Sequence, residues 1–365
     1  MALYGTPPKS EAILRRLEEL DELRRYLAQH LGDSAQPWTG ALRRLAAAEA
    51  TVGSTSIEGY GASLEDTVEI LAGRHPSTTS EETQRIIAAY AQAMDRVGVL
   101  AEDTRFQWSP QTILDLHFLV CHPQREAGPG RLREEHVIVT RGLGRDPYRP
   151  PPSSEVPALV NEVAAWLGSG DLARHPVVRA AMVHLNLVSI HPFRDGNGRV
   201  ARVVQSLVLA KEGLLRPELV SIEPFLGRHT REYYAVLEEV QGPAFDPGRD
   251  ASAWVEFCIE AHVFEATERR HWLEIAYARH DFCEQAAREQ GYPPRFVIAL
   301  DQALLGLPLT NADYRGEAGV ASPTAVQDLQ RLRRDGWLDQ EGGGRSVRYV
   351  ASGKLQEHWS VSRRQ

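Results

Sequence analysis

The stretch SIHPFRDGNGRVAR, Ser189 to Arg202, lies between two segments with helical patterning. Pro176, a favoured first-turn residue, opens VVRAAMVHLNLVSIH, and GRVARVVQSLVLAKEGL is mostly apolar and reads as a helix running through a core. The quoted residues are therefore the turn between two helices of a mainly α protein. Gly196-Asn197-Gly198 can adopt conformations closed to bulky side chains and gather successive N–H groups into one concavity. The next helix adds unpaired N–H groups and the positive end of its dipole, an anion site. Arg199 and Arg202, three apart, put both guanidinium forks on one face near that N-terminus. Asp195 suits Mg²⁺, which rests on one or two carboxylates plus substrate phosphates. His191 ends the preceding helix, and its ordinary pKa of about 6.5 suits a base that takes a proton from a hydroxyl. These parts describe transfer from a nucleotide polyphosphate to a hydroxyl. There is no GxxxxGK[ST] loop, and no strand precedes the turn as a dinucleotide fingerprint requires.

The totals agree with a soluble globular protein. Of 365 residues, 42% are hydrophobic and 25% charged, and the net charge of -8 excludes a molecule that traps nucleic acid by charge alone. Cys121, Cys258 and Cys283 lack metal-ligand spacing and read as buried small hydrophobes in a reducing compartment. The N-terminus lacks the apolar core of a signal peptide and no apolar run reaches spanning length, so the expectation is a cytoplasmic protein with no membrane contact.

Helical patterning covers residues 9–32, with Leu14, Leu17, Leu20 and Leu23 on one stripe and Gly32 as a stop. It continues through ALRRLAAAEATV to a break at STSIEGYGAS, and over 63–73, 80–99, 109–121 and 154–166. Two further helices are expected near 228–241 and 250–270, then a charged connector over 264–290. HVIV, inside a Gly- and Pro-rich stretch, reads as a short β-hairpin flap. The last segment reads as helix, turn, helix and Gly-tipped β-hairpin, a winged helix-turn-helix with Ser322 as N-cap, Pro323 at the first helical position and Val326, Leu329 and Leu332 facing inward. The expected domains are an N-terminal helical region (1–100), a catalytic core (101–270) and a connector with winged helix (271–365).

HPFRDGNGRVAR, His191 to Arg202, matches the HPFx[D/E]GNGRxxR signature of the Fic (filamentation induced by cAMP) family at every fixed position, and the chain resembles that family over roughly residues 40 to 265. The resemblance implies a Fic-type helical core that transfers AMP from ATP to a Ser, Thr or Tyr hydroxyl of a protein, releasing pyrophosphate. It implies His191 as base, with Asn197 and Arg199 also catalytic, and Asp195 as Mg²⁺ ligand. Gly196, Asn197 and Gly198 would cradle phosphates, Asn197 near the α-phosphate, with Arg199 and Arg202 on the β/γ side and Phe193 as a packing anchor. HVIVTRG (136–142), followed by Pro150-Pro151-Pro152, resembles the flap that aligns a target by strand addition. RHTREYYAVL resembles the segment whose tyrosines, here Tyr233 and Tyr234, lie near the adenine, although His229 replaces the usual Asn. His184, on the same helical face as His191, reads as core.

Ser54-Thr-Ser-Ile-Glu58-Gly59 matches [S/T]xxxE[G/N], the family's inhibitory-helix motif. Glu58 paired with Arg199 would neutralise a fork meant for the γ-phosphate, so the expectation is a self-inhibited adenylyltransferase. Two alternatives stay open: removal of AMP, with Glu58 positioning water, and a winged-helix regulator with a silent nucleotide-binding core. The implied partners are a protein substrate (itself or another), DNA or protein at the winged helix, and a second copy in a homodimer. Residues 301–365 hold nine basic and eight acidic residues, and Arg331, Arg333, Arg334, Arg345 and Arg348 fall on the second helix and wing.

Overall fold

The computed structural model describes residues 3–31, 39–140, 147–213, 221–344 and 347–363. Gly32, Arg141, Gly142 and Arg345 lie outside the described residues. The helices are α1 (Glu11–Leu31), α2 (Thr39–Ile57), α3 (Leu64–Leu71), α4 (Glu81–Glu102), α5 (Pro110–Cys121), α6 (Val156–Ser169), α7 (Pro176–Ile190) and α8 (Asn197–Lys211). They continue with α9 (Glu223–Arg228), α10 (Thr230–Gln241), α11 (Ser252–Glu289), α12 (Phe296–Leu304), α13 (Asn311–Ala318), α14 (Ser322–Arg334) and α15 (Gly353–Ser362). Strands β1 (Leu338–Glu341) and β2 (Arg348–Ala351) complete the set. The fold is mainly α. The chain divides into two compact units, Met1–Tyr26 with Ala46–Thr267 and Leu27–Leu45 with Glu268–Gln365.

In the first unit α8 is the central helix, with α4, α5 and α7 packed on it. Every residue of α7 from Val177 to Ile190 is buried, as is every residue of α8 from Arg199 to Ala210. The two helices are enclosed on every side, so the polar residues they carry, His184, Arg199 and Arg202 among them, need partners inside the protein. Trp254 of α11, fully buried, donates its indole N–H to Ala181 O at 2.7 Å and packs its ring against His184 and Tyr233. Helix α2 meets α9 with no side chain between them. A Cβ on Gly53 would lie 2.2 Å from Glu223 O, and one on Gly227 2.7 Å from Gly53 Cα.

In the second unit, α12, α13 and α14 enclose a core with the antiparallel pair β1 and β2, and Leu309 adds a bridge to Tyr349. A Thr310–Asp313 capping box starts α13. Arg279 and Asp301 form a buried ion pair at 2.8 Å. In chain order α13 and α14 are followed by the β1–β2 pair and α15.

Several local expectations change. Helix α2 continues through Ser54 and stops only after Ile57. The buried Thr51 and Thr55 hydroxyls return to the carbonyls one turn back, so hydroxyl residues here do not break the helix. Leu14 is exposed and Ile13 takes its place on the α1 stripe. The two stretches 250–270 and 264–290 merge into the 38-residue α11. Ala321, not Ser322, occupies the N-cap of α14, and Ser322 instead donates to Asn311 Oδ1 at 3.3 Å. Val326 is exposed while Ala325, Leu329 and Leu332 face the core, a spacing of four and three that keeps one helical face. Among the described residues the flap contributes one β-bridge, Val139 to Tyr148.

Gly53→Ala forces α2 off α9. The expected cost is about 1–3 kcal/mol of stability, as for other overpacked sites, read as a lower urea midpoint at unchanged slope.

Candidate active site

The turn is shaped from within and beneath. His191 caps α7 in the left-handed conformation, φ 49° and ψ 59°. A non-glycine residue there is strained and must be held by its surroundings. Arg133 holds it, donating Nε to His191 O at 2.8 Å, Nη1 to Glu135 O at 2.9 Å and Nη2 to Pro151 O at 2.6 Å. Its backbone N–H reaches Pro192 O at 2.9 Å. A cation among carbonyls at a helix C-terminus is favourable, and one side chain thereby joins His191, the start of the flap segment and the proline cluster.

Next, Asn197 folds back on the turn. Its Oδ1 accepts from Phe193 N and its Nδ2 donates to Phe193 O, both at 2.9 Å. Phe193 is fully buried and stacks on His117 with ring centres 3.7 Å apart. His117 accepts the Gly130 N–H at Nδ1 (3.0 Å), so the neutral ring carries its proton on Nε2 and donates it to Asp195 O at 2.9 Å. Gly196 adopts φ 75°, and a Cβ there would lie 2.3 Å from Cys121 Sγ. Buried Cys121, its thiol raised to about 11 by burial, acts as the floor of the turn and not as a nucleophile.

Above the turn is a cavity of about 510 Å³ whose walls include Glu58, His191, Asn197, Gly198, Tyr233 and Tyr234, with Val139 and Thr140 of the flap segment. Tyr233 is buried and its hydroxyl lies 3.0 Å from His184 Nε2, whereas Tyr234 is partly exposed. His184 also lies 2.7 Å from Gln205 Oε1 and is a satisfied core residue. His229 stacks on Phe225 at 4.2 Å. Asp195 accepts the Gly196 N–H at 2.6 Å, and its side chain is 52% exposed.

Arg199 and Arg202 are each 1% exposed and lie beneath the end of α2. That end is a Schellman closure: Tyr60 N bonds Thr55 O and Gly59 N bonds Ser56 O, both at 3.0 Å, with Gly59 at φ 87°. Glu58 is thus the C-cap residue and its side chain leaves the helix where the axis stops. It does not meet Arg199 as expected. Glu58 Oε1 accepts from Arg202 Nη2 at 2.7 Å, while Ser54 takes Arg202 Nε on its hydroxyl (2.7 Å) and Nη2 on its carbonyl (2.9 Å). Three residues of α-helix turn through about 300°, so the two forks diverge by about 60°. Only Arg202 points at α2. Arg199 turns toward α5, with Nη1 3.5 Å from Val120 O and Nη2 3.7 Å from Asp195 Oδ2, and its guanidinium lies 5.6 Å from the centre of the Tyr60 ring. Among the described residues, Arg202 Nη1 has no hydrogen-bond partner. A Cβ on Gly198 would lie 2.4 Å from Glu58 Oε1 and 3.1 Å from this Nη1. The carboxylate therefore rests on the bare first turn of α8, where an anion would sit.

Sequence reading missed Arg133 and His117, because neither stands in a recognisable pattern and both act through folded contacts. Among the described residues, no three His, Cys, Asp or Glu side chains gather for a metal ion, and no helix is long and apolar enough to cross a membrane.

Residues 107–209 match the Fic/DOC family. The chain carries a Fic/DOC domain. It is 30% identical over 253 residues to a protein adenylyltransferase Fic of Aedes aegypti, covering 65% of this chain and 48% of that one. It is 30% identical over 188 residues to protein adenylyltransferase fic-1 of Caenorhabditis elegans, covering 50% and 34%. The chain thus spans half or less of the length of these curated relatives. A Fic family protein from Desulfovibrio desulfuricans G20 shares the fold at TM-score 0.62 and 23% identity, covering 95% of this chain and 98% of that one.

The Fic domain's histidines make stability depend on pH. Burial lowers His117 and His191 to about 4 and His184 to about 3, with Arg133 adding to the effect at His191 and Arg202 at His184. Unfolded, each titrates near 6.5, so between these values the unfolded chain binds more protons. The stability is fully present above about pH 6.5 and is lost as pH falls through this window toward 4, and for His184 toward 3. The thermal midpoint is expected to fall steadily from pH 7 to 5; a level midpoint contradicts the burial of His117 and His184.

Proposed function

We propose that the chain is a protein adenylyltransferase restrained by its own α2. One observation carries the reading: His191 and the N-terminus of α8 open on a single cavity, and Glu58 stands at that N-terminus. ATP lies with its phosphates over Gly196, Asn197 and Gly198 and its base toward Tyr233, Tyr234 and the flap segment. His191 Nδ1 faces Val188 O at 3.4 Å, which leaves Nε2 free to accept. A hydroxyl oxygen of the protein substrate attacks the α-phosphorus, its proton passes to His191 Nε2, and the bond to pyrophosphate breaks. The lowered pKa keeps this ring neutral at physiological pH. Asn197 acts by holding the turn, since its amide is engaged with Phe193. Arg199 and Arg202 stabilise phosphate charge once α2 yields.

Asp195 fits Mg²⁺ as a single half-exposed carboxylate, with the nucleotide's phosphates completing the coordination. The ion supplies charge neutralisation on the phosphates. Removal of AMP is a second reading, favoured by the placement of Glu58 and His191 on the same cavity. The second unit we read as a winged helix whose α14 presents Gln327, Gln330, Arg333 and Arg334 to a DNA or protein partner.

Incubation with Mg²⁺ and α-labelled ATP tests the reading. Glu58→Gly is expected to label itself or an added protein at least about tenfold more than wild type, and His191→Ala in that background to abolish the label. No gain from Glu58→Gly contradicts the restraint, and label that persists without His191 contradicts the base. Loss of label from a pre-modified target only when Glu58 is intact establishes removal instead. Glu58→Gly also leaves a buried cation short of its partner, at a cost of up to about 3 kcal/mol, so its unfolding midpoint should drop and recover on adding ATP.

A further inference from the structure

The last carbonyls of an α-helix have no partner within it. Those at the end of α7 are taken by Arg133 and Tyr148, which stand on either side of the flap segment. Ser189 O accepts the Tyr148 hydroxyl at 2.8 Å, His191 O accepts Arg133 Nε at 2.8 Å, and Ile190 O lies 3.4 Å from Arg133 Nη2. Both side chains are buried, Arg133 at 5% exposure and Tyr148 at 1%. Tyr148 and Val139 exchange both backbone bonds at 2.9 Å, and Arg133 closes the same loop a second time through Glu135 O and Pro151 O. The flap segment and the helix that ends in His191 are therefore one bonded frame. Freed of Arg133, His191 can leave its left-handed conformation, and its ring turns with the backbone. Val139 and Thr140 wall the cavity on which His191 opens. A protein acceptor in that cavity meets flap and base together, whereas water, small and mobile, needs no such guide.

We propose that Arg133 and Tyr148 are positioning residues that fix His191 relative to the flap segment, so that AMP passes to a protein hydroxyl in preference to water. This rests on the reading of the cavity as the site of AMP transfer. In both reactions an oxygen attacks the α-phosphorus of ATP, its proton passes to His191 Nε2, and the bond to pyrophosphate breaks. The product is AMP on the protein in one case and free AMP in the other. A base held in register with the flap segment favours the acceptor that the flap guides. Once the register is lost, water still follows the ring, and the bulky acceptor does not. Arg133 is not among the walls of the cavity, so its removal leaves the nucleotide's own contacts in place.

The test compares Glu58→Gly alone with the same background carrying Arg133→Met or Tyr148→Phe. Label from α-labelled ATP on protein, free AMP, and ATP affinity by calorimetric titration are read for each. Arg133→Met should cut the protein label about tenfold to a hundredfold, as small misplacements of reacting groups do. Tyr148→Phe keeps the buried ring and loses one donor, and should cut it about threefold to tenfold. In both, ATP affinity should stay within about twofold and the ratio of free AMP to protein-bound AMP should rise at least about threefold. Millimolar guanidinium should restore part of the label to Arg133→Ala, where the space stands open; structural damage does not respond to it. Label unchanged by either substitution, label and ATP affinity falling together, or an unchanged ratio overturns the proposal. If Glu58→Gly labels no protein at all, or its label persists without His191, the reading of the cavity fails and takes this proposal with it.

Discussion

A guanidinium that is 1% exposed must be surrounded by acceptors, and in this chain the acceptors of Arg202 come from outside its own helix. Ser54 contributes a hydroxyl and a carbonyl and Glu58 a carboxylate, all from α2. Stripping a buried cation of its partners costs several kcal/mol, so α2 stays seated as long as nothing else satisfies Arg202. A polyphosphate is the obvious substitute, being more highly charged than one carboxylate. On the proposed reading, the end of α2 and a bound nucleotide exclude one another at the same nitrogen atoms. The contact that completes the folded unit is, on that reading, the contact given up for chemistry.

The rest of the site is built to stay still while that exchange occurs. Arg133 pins the strained His191 backbone, Asn197 ties the turn to itself, and His117 supports it from below through Phe193 and Asp195 O. Each of these groups is buried and engaged on at least two sides. The Gly53–Gly227 approach lets α2 lie directly on α9, so the part that must yield is held by close backbone packing as well as by charge.

Much of this was legible in the residues. Apolar patterning located most of the helices, though not α9, α12 or α15, and the HPFRDGNGRVAR turn read as an anion site because backbone conformation, dipole and side-chain type all point the same way there. What stayed hidden depends on direction in space. Spacing places Arg199 and Arg202 on one face, yet the 60° between them sends one to α5 and the other to α2, and only the packing of those helices decides which meets Glu58. Ser54 looked like part of a break because hydroxyl residues compete with helices when exposed; buried against Arg202, it is part of the helix. Arg133 and Tyr148 carry no motif and meet the end of α7 only in the fold. In the second unit, Val326 and Ala325 exchanged roles because a shift of one position rotates a helix face by about 100°.

The most direct measurement is a crystal structure of Glu58→Gly with ATP bound. It should show the phosphates over Gly196 to Gly198, with Arg202 contacting them through Nη1 and Nη2 in place of the lost carboxylate. Phosphates bound elsewhere, or an Arg202 still directed only at Ser54 with the nucleotide in place, would contradict the claim that α2 and the nucleotide compete for this one side chain.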